Sequence, residues 1–540
     1  MQRRDFLKAA SAGALWAGCG GSSPEGPAAA RKGAVVGEPR AAAAGLAMLE
    51  IGGNAVDAIV AAALTAGVTA VQMCGSGGYG GHMTLAFADS GKVTSIDFNT
   101  LSPAALTEDR FAPNADGTVP GQINQFGWLA SGVPGTLAGM DLALREFGTK
   151  SFAQAVAPAI RHAQEGFPVD AALARSIASA KEQLLADPAA AALLCPNGKP
   201  LAEGDHYENP DLGAMLDELA KAGSTEPFYK GDIAEKIVAA FQSNGGIVTM
   251  EDFAAYEAKV VEPLKMQWRG DELFTAPLTA GGLTIFEALS ILDAAGYPAM
   301  KAPLEQTHAW LEALRICWKD RLELFGDPQK SEDPTERLLS KAYAEESAAR
   351  VRKAVEGGKP LDIEIDYLEQ VGTIHLSAAD GAGNMAALTL THGGGFGARV
   401  AVPGLGLLLG HGMSRFDPRP GHPNSPGPRK RPLHNMCPTI VRRDGKPTLA
   451  VGARGGRRIP NCVLSVLLDY SREGSSVQQA VAAPRMHVEG GLAVGLDEPW
   501  EQAARDRLTE IGYTVSKASV AVASAVGLDP ASGEWATAER

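Results

Sequence analysis

Apolar residues recur three and four positions apart in several parts of the first two thirds of the chain, which is the spacing of an amphipathic helix. A first helix is predicted over residues 41–51, where Gly52-Gly53 supplies a C-terminal cap. A second follows over 54–70 and opens on an asparagine, a favoured N-cap residue. Residues 135–260 and 305–356 carry the same spacing. These regions are therefore predicted to be mainly helical.

Alternating apolar and polar residues predict strands elsewhere. Hairpins are expected around the turns at 89–91, 380–384 and 444–446. After residue 370 the alternation returns. The predicted strands are 83–88, 93–98, 373–378, 385–391, 439–443 and 448–451. Because helices and strands come in separate blocks, we expect an α+β fold in which helices are layered on antiparallel sheet.

Two segments fit neither pattern. Residues 75–81 are mostly glycine, which indicates positive φ angles or close backbone approach. They lack the lysine ending of a phosphate-binding loop, so a packed turn near an active site is favoured. Residues 417–432 are rich in proline, glycine and basic side chains, which predicts a surface loop.

Composition narrows the class of protein. Apolar residues make up 45% of the 540 positions and charged residues 21%, so a sizeable core is possible and global disorder is excluded. The net charge of −13 argues against a nucleic-acid partner, because phosphate binding needs a basic surface. The chain contains no apolar run of the length that spans a membrane. Six cysteines are too few for a disulfide scaffold, and we expect the five beyond residue 19 to be buried thiols.

The N-terminus resembles an export signal. Arg3-Arg4 precedes a short apolar stretch that ends at Cys19, which is typical of twin-arginine export followed by lipidation of the cysteine. Ordinary signal cleavage nearby is the alternative. Residues 1–19 are thus a predicted signal and 20–32 a flexible tether. We expect a periplasmic protein, exported by the Tat route and anchored to a membrane surface through Cys19.

A threonine at the start of a predicted strand would by itself indicate only structure. The motifs that accompany Thr373 indicate more than that. Val371-Gly372-Thr373-Ile374-His375 is followed by Thr389-Leu390-Thr391. Further along come Arg431-Pro432-Leu433-His434-Asn435 and Gly452-Ala453-Arg454-Gly455-Gly456. Three earlier motifs occur in the same order along the chain: Gly52-Gly53-Asn54-Ala55-Val56-Asp57, Ser131-Gly132-Val133-Pro134-Gly135, and Asp320-Arg321 with Gly326-Asp327-Pro328.

With these motifs the chain resembles the γ-glutamyltranspeptidase family of N-terminal nucleophile hydrolases, from about residue 33 to the C-terminal region. The resemblance implies a four-layer αββα sandwich. It also implies a precursor that cleaves itself between Gly372 and Thr373. Residues 33–372 would form a large chain and 373–540 a small chain of the same domain. We expect these two chains to be partners, and a small-molecule amide or peptide to be the substrate.

The implied mechanism needs no Ser-His-Asp triad. Cleavage would free the α-amine of Thr373, whose ordinary pKa of about 8 suits a general base for the neighbouring hydroxyl. Thr391 matches a family threonine that contacts the nucleophile. Gly455 and Gly456 match the paired glycines whose backbone N–H groups stabilise the oxyanion. His375 is expected to be structural.

The sequence departs from the family where a γ-glutamyl group is bound. Asn99 replaces the arginine that holds the α-carboxylate, and Arg415 replaces the acid that holds the α-amine. His434-Asn435 stand in place of paired serines, and Gly393 in place of an asparagine. Arg415 and Arg454 are basic at matched pocket positions, which suggests an acyl group with a carboxylate but no α-amine. The alternative is that both arginines face solvent or pair with acids.

These observations leave three functions open. The first is a self-processing amidohydrolase or acyltransferase that acts through an acyl-threonine on a non-γ-glutamyl acyl amide. The second is a true γ-glutamyl hydrolase or transpeptidase acting on glutathione, and the third is a non-catalytic lipoprotein that binds a ligand. We expect no cofactor, and no metal either, because the histidines between 375 and 434 are irregularly spaced.

Self-cleavage gives a direct test of the enzyme hypothesis. Purified protein should run on a denaturing gel as a large band and a band of about half its mass, from the lengths on either side of Thr373. Thr373→Ala removes the hydroxyl nucleophile and should give one uncleaved band. A wild-type protein that stays as a single full-length band would contradict the enzyme hypothesis.

Overall fold

A computed structural model describes residues 32–363, 373–497, 500–518 and 520–540. The predicted signal with Cys19, nearly all of the tether, and Gly372 lie outside these residues. The described helices are α1 Pro39–Glu50, α2 Ala55–Thr69, α3 Thr136–Phe147, α4 Phe152–Glu165, α5 Ala171–Ser179, α6 Lys181–Ala186, α7 Pro188–Leu194, α8 Pro210–Ala222, α9 Glu226–Lys230, α10 Asp232–Ser243, α11 Met250–Ala254, α12 Gly282–Ala294, α13 Pro303–Leu324, α14 Thr335–Leu338, α15 Lys341–Gly357, α16 Arg458–Tyr470, α17 Val477–Ala482 and α18 Gln502–Ile511.

The strands include those formed by the motifs around Thr373, Thr391 and Gly452. They are β1 Ala34–Val36, β2 Gly80–Ala86, β3 Val93–Asp97, β4 Phe167–Pro168, β5 His206–Tyr207, β6 Lys259–Val261, β7 Leu264–Trp268, β8 Asp271–Thr275, β9 Ile374–Ala379, β10 Met385–Thr391, β11 Ala401–Val402, β12 Leu407–Leu408, β13 Thr439–Arg443, β14 Lys446–Arg454, β15 Met486–His487, β16 Ala493–Leu496, β17 Thr514–Lys517, β18 Val522–Leu528 and β19 Trp535–Glu539. The three hairpins predicted from alternation are present as β2–β3, β9–β10 and β13–β14.

Two six-stranded sheets form the centre of the fold. The first has the order β1-β9-β10-β2-β3-β6 and the second β19-β18-β14-β13-β8-β7. They pack face to face, with β9 and β10 against β14. The interior between them is filled mainly by small side chains such as Ala86, Ala379, Ala387 and Ala450. Small residues at these inward positions allow the two backbones to approach closely.

A helical layer covers the outer face of each sheet. On the first sheet, α2 packs against β9 and β10 and is itself covered by α1 and α4. On the second, α16 packs against β14 and β18, with α12, α13 and α15 beyond it. The order helix, sheet, sheet, helix confirms the predicted four-layer α+β sandwich.

The start of α2 shows how the local sequence fixes an element. Asn54 accepts hydrogen bonds from the backbone N–H groups of Val56 (2.8 Å) and Asp57 (3.0 Å). The Asp57 carboxylate in turn accepts from the backbone N–H of Asn54 (2.7 Å). This reciprocal capping box satisfies donors that the first turn would leave unpaired. The predicted N-cap is therefore confirmed.

The segment 417–432 differs from its prediction as a surface loop. Asn424, Ser425, Lys430 and Arg431 are buried. Arg431 lies 3.3 Å from an oxygen of Asp97 and donates its backbone N–H to Asp327. The local sequence could not indicate this burial, because those carboxylates come from distant parts of the chain.

The five cysteines of the described residues are buried free thiols, as expected: Cys74, Cys195, Cys317, Cys437 and Cys462. Among the same residues, no helix combines the length and apolar character needed to cross a bilayer.

A buried carboxyl between α12 and α13 predicts that folding stability falls as pH rises. Glu287 is fully buried, and this burial together with the charge of Asp320 raises its pKa well above the ordinary value. Stability from the neutral form is therefore present at low pH and is lost as pH rises through the raised pKa. Glu287→Gln should flatten that decline, which for one proton is at most about 1.4 kcal/mol per pH unit.

The measurement is the free energy of unfolding from urea titration at several pH values from about 4, near the ordinary carboxyl pKa, up to the alkaline range. Glu345→Gln, at an exposed glutamate beside Lys341, is the control and should keep the wild-type pH dependence. Parallel curves for wild type and Glu287→Gln would contradict the prediction.

Candidate active site

Thr373 and Thr391 lie side by side at one end of the first sheet. Leu390 of β10 pairs with Ile374 of β9, so the next antiparallel row places Thr391 opposite Thr373. Thr373 is only 7% exposed. The Oγ1 atom of Thr391 accepts the backbone N–H of Gly393 at 2.7 Å. A directly opposite pair on one sheet face brings its side chains into contact range.

The second sheet brings the paired glycines to the same end. A Cβ atom on Gly452 of β14 would lie 2.3 Å from the ring of His375, so these residues face each other between the sheets. Ala379 and Ala450 meet farther along the same interior. The start of β9 and the end of β14 therefore converge. Gly455 follows β14 directly.

The backbone at Gly455 and Gly456 explains the residue type. Their φ angles are +138° and +64°, values that residues with a Cβ rarely adopt. A Cβ on Gly455 would also lie 2.9 Å from the Cα of Ala521. The peptide N–H groups are thus carried on bare backbone just before α16. This is the kind of donor that an oxyanion requires.

His375 fills a structural position. Its Nδ1 lies 2.7 Å from Oγ1 of Thr389 and its Nε2 lies 2.9 Å from Oγ of Ser377. Burial lowers the pKa of His375 to about 3, so the ring is neutral at physiological pH. Both ring nitrogens are engaged within the sheet, as expected for a residue that is not the base.

The glycine-rich segment packs beside Thr391. A Cβ on Gly78 would lie 3.1 Å from the carbonyl oxygen of Thr391, and one on Gly80 would lie 2.0 Å from the carbonyl oxygen of Phe98. The predicted packed turn is confirmed, because bulkier residues could not approach these strands so closely.

A cavity of about 700 Å³ opens next to this end of the sheets. Its most polar wall is basic, with Arg321, Arg415 and Arg457 among the lining residues. Other lining residues include Asn114, Asp116, Gln122, Asn124, Gln125, Trp318, Ser414, Phe416, Asp417, Arg419, His422 and Asn435. The size is that of a small-molecule binding site.

One hydrogen bond and one chain connection link the cavity to Thr391 and to the paired glycines. The guanidinium of Arg415 donates to the carbonyl oxygen of Gly393, two residues beyond Thr391. Arg457 directly follows Gly456 in the chain and lines the cavity. Thr373, Thr391, Gly455 and Gly456 do not line the cavity themselves, but Arg415 and Arg457 connect it to positions within two residues of Thr391 and next to Gly456.

The predicted substrate-binding residues separate into two groups. Arg415 and Asn435 line the cavity. Asn99 is buried, and its amide donates to Oγ1 of Thr279 and to the carbonyl oxygen of Pro432, both at 2.7 Å.

Two further predicted residues have other partners and do not line the cavity. The Nε2 atom of His434 lies 2.9 Å from Nδ1 of the buried His82. Arg454 lies 3.2 Å from the Glu539 carboxylate, in the acid-paired arrangement that the sequence left open.

Sequence reasoning did not single out Arg321 or Trp318 as site residues. Both lie on α13, where Leu314, Trp318 and Arg321 follow helical spacing on a buried face. An arginine on an otherwise apolar stripe was the available signal. Burial, followed by the positive charge of Arg457, lowers the pKa of Arg321 to about 10. Burial likewise lowers the pKa of Arg415 to about 10.

No group of three histidine, cysteine or acidic side chains able to hold a metal occurs in the part of the chain that the structure describes. His392 and His411 are buried, and burial lowers their pKa values to about 4 and about 3.

Comparisons with known proteins agree with this geometry. The sequence model of the family described as gamma-glutamyltranspeptidase matches residues 41–540. A glutathione hydrolase proenzyme of Escherichia coli is 36% identical over 460 residues, covering 82% of this chain and 78% of that protein. An acylase ACY 1 proenzyme of a Pseudomonas species is 34% identical over 499 residues, covering 91% and 88%.

A solved structure supports the same assignment. The cephalosporin acylase of Bacillus halodurans superposes with a TM-score of 0.82 at 26% identity, covering 96% of both chains. The gamma-glutamyltranspeptidase of Helicobacter pylori has a TM-score of 0.56 at 30% identity, covering 61% of this chain and 93% of that chain. From the family match, the relatives and the shared N-terminal nucleophile fold, this chain belongs to the γ-glutamyltranspeptidase family and is an enzyme that acts on amide bonds.

Proposed function

We propose that this enzyme cleaves itself before Thr373 and then transfers a non-γ-glutamyl, anionic acyl group from an amide to the Thr373 hydroxyl. The hydroxyl oxygen would attack the amide carbonyl, and the C–N bond would break as the released amine takes up the hydroxyl proton. Water or an acceptor amine would then cleave the threonine ester. The alignment of Thr373, Thr391 and the Gly455-Gly456 backbone supports this chemistry.

The position of Arg415 in the cavity is the observation that supports an anionic acyl group. Arg415 lines the cavity at the position where the family pattern has an acid for the α-amine of a γ-glutamyl group. A guanidinium there repels an ammonium and attracts a carboxylate. The alternative carboxylate anchor at Asn99 is not basic, and its amide donors are already used within the fold. An acyl group with a terminal carboxylate and no α-amine fits this cavity best.

The relatives include proteins of both kinds. The Pseudomonas protein named as an acylase covers more of this chain than the Escherichia coli glutathione hydrolase does, although its identity is 34% against 36%. The similarity to the Escherichia coli glutathione hydrolase is the reason to keep γ-glutamyl transfer as the second candidate. Substrate comparison decides between the two.

We also propose that the protein is exported through the twin-arginine route and attached to a membrane by lipidation of Cys19. The support is the order of Arg3-Arg4, the apolar stretch and Cys19 in the sequence.

Two anilides that differ in a single group test the substrate class. Glutaryl-p-nitroanilide and L-γ-glutamyl-p-nitroanilide share their carbon chain and differ by the α-ammonium group. We expect kcat/KM to favour the glutaryl compound by at least about 10-fold, because an ammonium beside Arg415 costs binding energy. Nitroaniline release measures both. Thr373→Ala should be inactive and Arg429→Gln, at a surface arginine beside Glu251, should match wild type. Preference for the γ-glutamyl compound would overturn the proposal.

Thr391 offers a separate test of the threonine pair. Thr391→Val keeps the shape but removes the acceptor of the Gly393 N–H. Without the hydroxyl beside Thr373 and its bond to Gly393, the nucleophile would be held less precisely, so kcat should fall by roughly 10-fold or more. Thr391→Ser keeps a hydroxyl and should recover most of the activity. Initial rates on processed protein, checked by gel, measure this, and wild-type kcat in Thr391→Val would contradict the role.

A further inference from the structure

Arg321 has one side of its guanidinium fixed and one side unused. Its Nη2 donates to the carbonyl oxygen of His434 at 2.8 Å and to Oδ1 of Asn435 at 3.0 Å. Its Nη1 is buried without a hydrogen-bond partner. The side chain is only 4% exposed and lines the cavity. A buried charged donor without a partner is costly, so this position suits a ligand acceptor.

Arg415 lines the same cavity and belongs to the segment that follows Thr373. The hydroxyl of Tyr79 is also buried without a hydrogen-bond partner. Burial raises the pKa of Tyr79, while its proximity to Arg415 and Arg321 opposes that effect. The ring centroid of Tyr79 lies 6.0 Å from that of His434, whose carbonyl oxygen accepts from Arg321, so the phenol lies near the guanidinium groups.

The Arg321 guanidinium lies 5.8 Å from the ring centroid of Trp318 and 5.5 Å from that of Phe325, but the described residues around it supply no carboxylate. In the described ranges, neither Arg321 nor Arg415 has a carboxylate within ion-pairing distance. Asp417 in the cavity wall lies 2.6 Å from Arg419, and Glu489 lies 3.4 Å from Arg457. A carboxylate can accept two parallel N–H bonds from a guanidinium and would replace the lost hydration of the buried cations.

We propose that Arg321 and Arg415, with Tyr79, form a binding site for a carboxylate group at the base of the cavity. Its identity as the far carboxylate of the acyl group rests on the proposed function. Arg321 and Tyr79 precede Thr373 in sequence, and Arg415 follows it. A dicarboxylate bound here would contact both polypeptides that self-cleavage creates, and would stabilise their association.

Ligand binding without turnover tests the site. Glutarate is the expected free acid of such an acyl group, and 1-pentanol has the same number of carbon atoms and no carboxylate. Titration calorimetry on processed wild-type enzyme should show glutarate binding at least about 10-fold tighter than 1-pentanol, the change expected for loss of one charge-assisted pair. Glutarate should also raise Tm saturably. L-Glutamate should bind more weakly than glutarate.

Three variants locate the site. Arg321→Gln and Arg415→Gln should each weaken glutarate binding by at least about 10-fold while leaving 1-pentanol binding little changed. Arg429→Gln removes a surface arginine that is paired with Glu251 and should bind glutarate like wild type. If Arg321→Gln does not fold, Arg415→Gln and the wild-type ratio of glutarate to 1-pentanol affinities decide the question.

The outcomes separate this site from the proposed function. Equal affinities for glutarate and 1-pentanol would overturn the site, as would wild-type glutarate binding in a folded Arg321→Gln variant. If glutarate binds as expected but glutaryl anilides are not hydrolysed, the site stands and the proposed function fails. If glutaryl anilides are hydrolysed and Arg321→Gln binds glutarate normally, the function stands and the site fails.

Discussion

The pairing of β9 with β10 determines where Thr373 and Thr391 lie. Strand β9 lies between β1 and β10, next to the edge of the sheet, so the strand that follows Thr373 is paired on both sides. Side chains alternate along a strand, and a register shift of one residue would turn Thr373 and His375 to the opposite face. The observed register instead pairs Leu390 with Ile374, so that Thr391 falls opposite Thr373 in the next row. The two buried faces on either side of this sheet hold that register in place.

The packing of the second sheet then supplies the remaining groups. Small residues between the sheets, including Ala379 and Ala450, let β14 approach β9. Gly452 accommodates the His375 ring, and the strand ends at Arg454, directly before Gly455. A substrate carbonyl near Thr373 would thus meet backbone N–H groups without any side chain intervening. Strand pairing and sheet packing are separate constraints, and both must be met for the site to form.

Gathering several arginines at the cavity has an electrostatic cost, which the stability of the rest of the fold offsets. The protein carries a net charge of −13, yet Arg321, Arg415 and Arg457 converge on one cavity. Mutual repulsion and burial both act against these cations, which is why the pKa of Arg321 is lowered. Hydrogen bonds to the carbonyl oxygens of His434 and Gly393 hold two of the guanidinium groups in position. Under the proposed function, this arrangement is preorganised for an anion, at the expense of the protein's own stability.

Local chemistry in the sequence was sufficient to predict many elements. The capping residue Asn54, the three hairpins and the layered α+β arrangement depend on neighbouring residues and on periodicity, so they were predictable. The order of the motifs around Thr373, Thr391 and Gly455-Gly456 indicated the family. The roles of Asn99, Arg454 and Arg321 were not predictable in this way, because each depends on partners far away in sequence. Thr279 bonds Asn99, Glu539 pairs with Arg454, and Asn435 orients Arg321.

The sequence by itself thus determined the fold class and the family, and it predicts a threonine nucleophile, since these depend on residue type and spacing. Only the tertiary structure decided which arginines face the cavity and which are neutralised elsewhere. The physical reason is that a side chain's charge is a local property, whereas its burial and pairing arise from segments that meet only when the chain folds.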